Sequence, residues 1–259
     1  MASRFKQFRI FILLLILLFV GLQTWLTQAR STDWKEPLWV VVYPINGDNS
    51  QVTADYISRL DADDFNPIES FMSGQAADYA LSTDEPVTFK LAPEIDQRPP
   101  QAPHTGSIID TMLWSLKMRY WSVKNDTFDG PKPDIQMFIV YFDPKTHPRV
   151  EHSVGLQKGM LGIVNAFASR KMTATNNVVI AHELLHTVGA TDKYDLRTDL
   201  PEYPDGFAEP DRQPLYPQRK AELMAGRIPL SSSKAEMPDS LSQVVIGQAT
   251  AAEIKWLNP

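Results

Sequence analysis

The sequence predicts one mixed α/β domain behind an N-terminal apolar segment, and three observations carry that expectation. A continuous apolar run of strand length (Leu38–Tyr43) and three further segments that read as strands (Val87–Leu91, Ile135–Phe142 and Met160–Ala168) alternate with stretches of helical periodicity. About 230 residues follow the apolar segment with no interior linker, enough for one large domain whose core needs no staples. The composition, 43% hydrophobic and 22% charged, belongs to a globular chain rather than to collagen, coiled coil or wholesale disorder.

Residues 1–30 stand apart as a membrane anchor or signal segment. Arg4, Lys6 and Arg9 precede an unbroken apolar run, Ile10 to Val20, which Gly21–Leu26 extend more weakly. As a helix, residues 10–26 rise roughly 25 Å, slightly short of a ~30 Å hydrocarbon core. Trp25 then lies near the interface, and the leading bases hold the N-terminus inside. An uncleaved anchor is the preferred reading. A cleaved signal peptide competes, with Thr27-Gln28-Ala29 as a passable site. The expected location is a single-pass cell-membrane protein with its domain, 31–259, outside the cytoplasm, or a secreted one after cleavage.

The elements follow in order. Leu38–Tyr43 reads as a buried strand that Pro44 and Asn46-Gly47-Asp48 end. Val52–Leu60 and Pro67–Leu81 read as helices, and Val87–Leu91 as a second strand. A proline-rich loop precedes Ser107–Lys124, an amphipathic helix with Ile108, Met112, Leu116 and Tyr120 at helical spacing. Trp114 and Trp121 lie alongside and suit core packing. Ile135–Phe142 and Met160–Ala168 are further strands. Asn177–Val188 is apolar nearly all round and reads as a buried helix. Residues 190–220 are irregular, acidic and proline-rich. A C-terminal helix is predicted from the capping-box spacing of Thr250 and Glu253, with Ile254, Trp256 and Leu257 following.

Charge and cysteine content exclude several functions. Beyond residue 30 the chain holds 21 bases against 31 acids, a net −10. Phosphate contacts need Lys and Arg, so no nucleic-acid partner is expected. The absence of Cys excludes a disulfide framework, a thiol nucleophile and cysteine-ligated metal.

The chemistry concentrates in residues 178–195. His182 and His186 are spaced i,i+4 on a helix, so both imidazoles leave one face a turn apart. That spacing suits two nitrogens on one Zn²⁺. Glu183 is rotated about 100° from His182 and stands beside a metal without ligating it. Gly189 can take a left-handed conformation and end the helix. The chain can then turn back and offer Asp192 as third ligand, with Asp195 as its rival. Two His and a carboxylate leave the fourth zinc position open, as a catalytic site requires.

The string H-E-L-L-H-T-V-G-A-T-D resembles the extended zinc motif of the metzincin clan, H-E-x-x-H-x-x-G-x-x-H, with Asp in the last place. The secreted bacterial snapalysins are similar in having that Asp. D-K-Y-D is similar to the G-x-x-D-x-Y-D of immune inhibitor A-like peptidases. Glu222-Leu223-Met224-Ala225-Gly226 resembles the methionine turn of metzincins, with Met224 falling 32 residues past Asp192. The resemblance covers residues 178–226.

It implies a zincin-like domain: a twisted mixed sheet, an active-site helix and a C-terminal helix. It implies zinc on His182, His186 and Asp192, Glu183 as general base, and Met224 as a floor beneath the site. Met160–Ala168 is the candidate edge strand for binding extended substrate. Tyr194 and Tyr216 are candidate oxyanion donors, though each also suits a structural role. The implied activity is that of a zinc metalloendopeptidase acting on a protein or peptide substrate. A zinc hydrolase of a non-peptide amide and a non-catalytic envelope binding or scaffold protein are the alternatives. Seven acids between 192 and 211 (Asp192, Asp195, Asp199, Glu202, Asp205, Glu209 and Asp211) form either a Ca²⁺ site or, as their setting favours, a solvated loop. Oligomeric state is not legible.

Overall fold

The structure is a computed structural model that describes residues 7–12, 14, 15, 18, 33–103, 108–151 and 153–257. Most of the expected anchor or signal segment lies outside the described residues. Phe8, Phe11, Leu14, Leu15 and Leu18 are exposed. No helix among the described residues is long and apolar enough to cross a membrane.

The continuous apolar runs form the centre of a five-stranded mixed sheet. Its strands are β1 (Leu38–Asn46), β2 (Val87–Leu91), β3 (Ile135–Phe142), β4 (Val154–Leu156) and β5 (Leu161–Phe167), in the order β2-β1-β3-β5-β4. The first four in that order are parallel, and β4 closes one edge antiparallel to β5. A parallel strand covered on both faces has no polar side, which is why β1 and β3 read as almost wholly apolar sequence, with Gln136 the one polar residue inside them. Along β1, Val40 and Val42 enter one core, while Val41, Tyr43 and Ile45 enter the other.

The first core lies under α1 (Gln51–Ile57), α2 (Asn66–Asp78), α4 (Thr173–Val188) and α5 (Gln248–Glu253). Helix α3 (Ile108–Lys124) covers the opposite face with Met118 and Trp121. Trp34 seals the chain's entry to the first core. Its Nε1 donates to Ile254 O at 2.7 Å, and its ring meets Trp256 edge-on.

Three expectations are corrected. Met160–Ala168 is not the sheet edge: β5 lies between β3 and β4, and the edge is the three-residue β4. On α3 the core side is carried by Trp114, Met118 and Trp121, whereas Met112, Leu116 and Tyr120 face outward. Thr250 does not cap α5. The helix starts after Gly247, and the buried Thr250 hydroxyl donates inward to Glu222 Oε1 at 2.7 Å. Glu253, the other half of the expected box, instead holds Lys193 and Thr191.

The chain after α4 is built of short pieces. A pair β6 (Tyr194–Asp195) and β7 (Leu200–Pro201) is followed by β8 (Ala221–Glu222) and a 3₁₀ turn, Leu223–Ala225. A β9–β10 hairpin (Ile228–Ser231, Lys234–Glu236) and β11 (Val244–Val245), parallel to β8, complete it.

Candidate metal centre

Helix α4 carries the two histidines and is held on several sides. Val178, Ile180, Ala181, Leu184, Leu185 and Val188 lie in the core. Near its start, Asn176 accepts from Phe167 N at 3.1 Å and donates to Phe167 O at 2.9 Å, tying the helix to the end of β5. Gly189 ends it with φ 112°, a conformation that strains any residue with a Cβ. Ala190 N then bonds back to Leu185 O at 3.0 Å, and the chain turns toward the histidines.

That turn brings Asp192 to them. Asp192 Oδ1 lies 3.2 Å from His182 Nε2 and 3.1 Å from His186 Nε2. The two Nε2 atoms are themselves 3.1 Å apart. Asp195 is elsewhere: its carboxylate accepts from Arg197 N at 2.8 Å and Thr198 N at 3.2 Å, closing a turn. Among the described residues, His182, His186 and Asp192 are the one group of three or more such side chains close enough to hold a metal ion. Asp199 meets Arg227, and Glu209 meets Arg212.

The other ring nitrogens decide the tautomers. His182 Nδ1 donates to Leu223 O at 2.9 Å, and His186 Nδ1 donates to Ala190 O at 2.8 Å. A carbonyl only accepts, so each neutral ring turns the lone pair of Nε2 inward. Two lone pairs and a carboxylate oxygen at this spacing repel one another unless a proton or a cation lies among them. Burial opposes charge on His182, but Asp192, Glu183 and the Leu223 carbonyl outweigh it and raise its pKa. Burial also tends to raise the Asp192 carboxyl, yet bonding to His182 and His186 holds it well below the usual carboxylate range.

The residues fit zinc. Bonds of 2.0–2.1 Å to a tetrahedral ion set its ligand atoms about 3.3 Å apart. The three observed separations fall just inside that length. The carbonyl acceptors behind both rings are the outer supports that metal-binding histidines use. The side chains of His182 and His186 keep 14% and 17% of their surface, so the cluster opens to one side.

Glu183 points beside this cluster. It is buried, and its Oε2 has no hydrogen-bond partner. Burial pushes its carboxyl above the ordinary range, against the pull of His182 and His186. Tyr194 is half-buried nearby. Burial, with the charges of Asp192 and Glu183, pushes its phenol up to about 12, so it remains an O–H donor. Tyr216 instead packs edge-on against Phe207.

Two surrounding devices support the cluster; the first was not legible in sequence, and of the second only the turn itself was. The first is Gly155 in β4. A Cβ there would collide with His186 Cβ and come within 2.7 Å of Glu183 O, so only glycine lets the edge strand lie on the helix. The second is the turn around Met224, which is fully buried. Buried Glu222 accepts from Ala225 N, Gly247 N and the Thr250 hydroxyl. Leu223 O then meets His182, and Met224 O accepts from Lys193 N at 3.0 Å. Lys193 Nζ is clamped by both Glu253 oxygens at 2.8 Å, and Thr191 N donates to the same carboxylate at 2.9 Å. Asp192 thus sits between two anchored neighbours. Comparison with protein-family models and with curated protein sequences finds no match.

Proposed function

We propose that the protein is a zinc-dependent metallopeptidase of metzincin-like build, held at the outer face of a membrane by residues 10–26. The observation that carries this reading is the convergence of His182 Nε2, His186 Nε2 and Asp192 Oδ1 beside the orphaned, buried carboxylate oxygen of Glu183. The metzincin-like motif between residues 178 and 226 supports it.

His182, His186 and Asp192 would hold the ion. Zinc, when bound, supplies Lewis acidity that polarises a carbonyl and eases ionisation of water. The chain's own residues do the rest. Glu183 Oε2 takes a proton from the attacking water and passes it to the leaving amine. Its burial favours the first of these steps, because the protonated carboxyl is the form that burial stabilises. Tyr194 offers an O–H toward negative charge developing on the carbonyl oxygen. The free edge of β4 offers main-chain bonds to an extended substrate, with Gly155 placing that edge directly on α4.

The test is metal content with a matched variant. The purified protein should hold one zinc per chain and cleave members of a peptide library. Glu183→Gln should keep the zinc and lose about 10²–10⁴-fold in kcat. A metal-free protein, or a Glu183→Gln variant of full activity, overturns the reading. Cleavage of non-peptide amides alone moves it to the other hydrolase class.

A further inference from the structure

Helix α3 has two apolar faces, and the sheet uses one. Met118 and Trp121 are buried against it, and Trp114 is buried with its Nε1 donating to Pro100 O at 2.8 Å. On the other side Ile109, Met112, Leu113, Leu116, Tyr120 and Val123 are each between 60% and 79% exposed. At 100° per residue these six fall within roughly 100° of the helix circumference, one unbroken stripe about four turns long. A soluble surface scatters its exposed apolar residues singly and seldom aligns six large ones.

Charge identifies what the stripe fits. The domain is strongly acidic, yet α3 carries Lys117, Arg119 and Lys124 against Asp110. Lys117 and Lys124 project on one flank of the stripe, by the same angular count, while Arg119 on the other side is half-buried with its Nε against the protein beside Gly159. An apolar face edged by bases, with a tyrosine near its end, is the pattern of a helix lying in a bilayer interface. Long basic side chains there run their stems along the acyl boundary and leave their charges among anionic headgroups.

The tether allows the contact. Trp34 is fixed in the core by its bond to Ile254 O. From Leu26, the end of the apolar segment, to Trp34 the chain extends at most ~28 Å. A domain on so short a lead stays beside the membrane that holds it.

We infer that α3 is a second membrane contact, laying its outer stripe into the interface of an anionic bilayer and fixing the domain's orientation there. The inference rests on the anchor reading of residues 10–26. It goes beyond the proposed hydrolysis, since none of the metal-centre residues takes part.

The chain has no cysteine of its own, so single-cysteine probes report cleanly. The full chain carrying Leu116→Cys or Val123→Cys, labelled with an environment-sensitive fluorophore, is mixed with phosphatidylcholine vesicles with and without phosphatidylglycerol. Lipids bearing a nitroxide on the acyl chain act as quenchers. Probes at 116 and 123 should shift to the blue and be quenched on anionic vesicles, while a Met237→Cys control stays in water. Lys117→Glu combined with Lys124→Glu should reduce quenching severalfold while flotation with vesicles persists. A chain that floats but keeps position 116 in water overturns the α3 contact alone. A probe that is shielded yet beyond the reach of lipid quencher also overturns it, and assigns the stripe to the N-terminal segment or a second copy. A chain that does not float overturns the anchor reading together with the contact.

Discussion

On the α4 side of the sheet nearly every polar group near the cluster is spoken for. His182 and His186 each bind a main-chain carbonyl, Asp192 sits between clamped neighbours, and Glu222 holds three donors. The exception is Glu183 Oε2. On the α3 side the inner core is closed, but the outer face is a bare apolar stripe. One side fixes its polar groups at set places, which is what the proposed metal site would need, since errors of fractions of an ångström matter there. The other presents area without fixed partners, which suits contact with a fluid surface.

The largest break in this comparison is expected at Glu222. Glu222→Ala leaves Ala225 N, Gly247 N and the Thr250 hydroxyl without their buried acceptor. At about 1–3 kcal/mol for each unsatisfied group, partly relieved by water, the expected loss is about 4 kcal/mol. Urea denaturation reads it. Zinc affinity should fall as well, because the same turn carries the carbonyl that orients His182. A loss in stability with unchanged zinc binding would separate the turn from the cluster.

Met118→Ala tests the closed side of α3. Met118 is fully buried, so truncation should cost about 3 kcal/mol. Zinc content should not change, since the sheet separates Met118 from the cluster. A change in metal binding would show that the two sides are coupled.

Much of this layout was legible, and the exceptions have physical causes. The central strands announced themselves because parallel strands covered on both sides leave long apolar runs. The histidine pair and Gly189 were legible because helical spacing and a left-handed stop are local properties. Strand β4 was not: three residues centred on a glycine carry no periodicity, and its importance lies in backbone proximity to α4. The direction of α3 was hidden because both its faces are apolar, and periodicity locates a stripe without saying what covers it. Thr250 and Glu253 have the spacing of a cap, but their partners, Glu222 and Lys193, are distant in sequence.

Glu253 sharpens the α4 side by a smaller step. It touches no candidate ligand but holds Thr191 and Lys193 on either side of Asp192. Glu253→Gln should raise the zinc Kd about 10–100-fold, the usual scale for outer supports of a metal site. Competition with a chelator measures it. The same residue predicts a pH dependence. Burial tends to raise the Glu253 carboxyl, but Lys193 and Thr191 together hold it below its ordinary value. A depressed carboxyl contributes stability that is full above the ordinary glutamate pKa and is lost as pH falls through the folded-state value. The free-energy gap between the parent and Glu253→Gln should therefore be widest near neutrality and close in acid. A gap that widens on acidification would contradict the clamp.

The smallest expected effect is the most telling for α3. Leu116→Gln lies two residues from Met118 on the same helix, and Leu and Gln have similar helix propensity. Leu116 is 60% exposed, so the change removes no core contact. Its effect on unfolding free energy should lie within about 0.5 kcal/mol, against about 3 for Met118→Ala. Binding of the full chain to anionic vesicles, read by quenching of a probe at 123, should weaken nonetheless. Stability and membrane contact then separate on one helix. If Leu116→Gln instead costs as much as Met118→Ala in the absence of lipid, protein covers the stripe in the folded chain. The contrast between a filled side and a bare side would then be wrong.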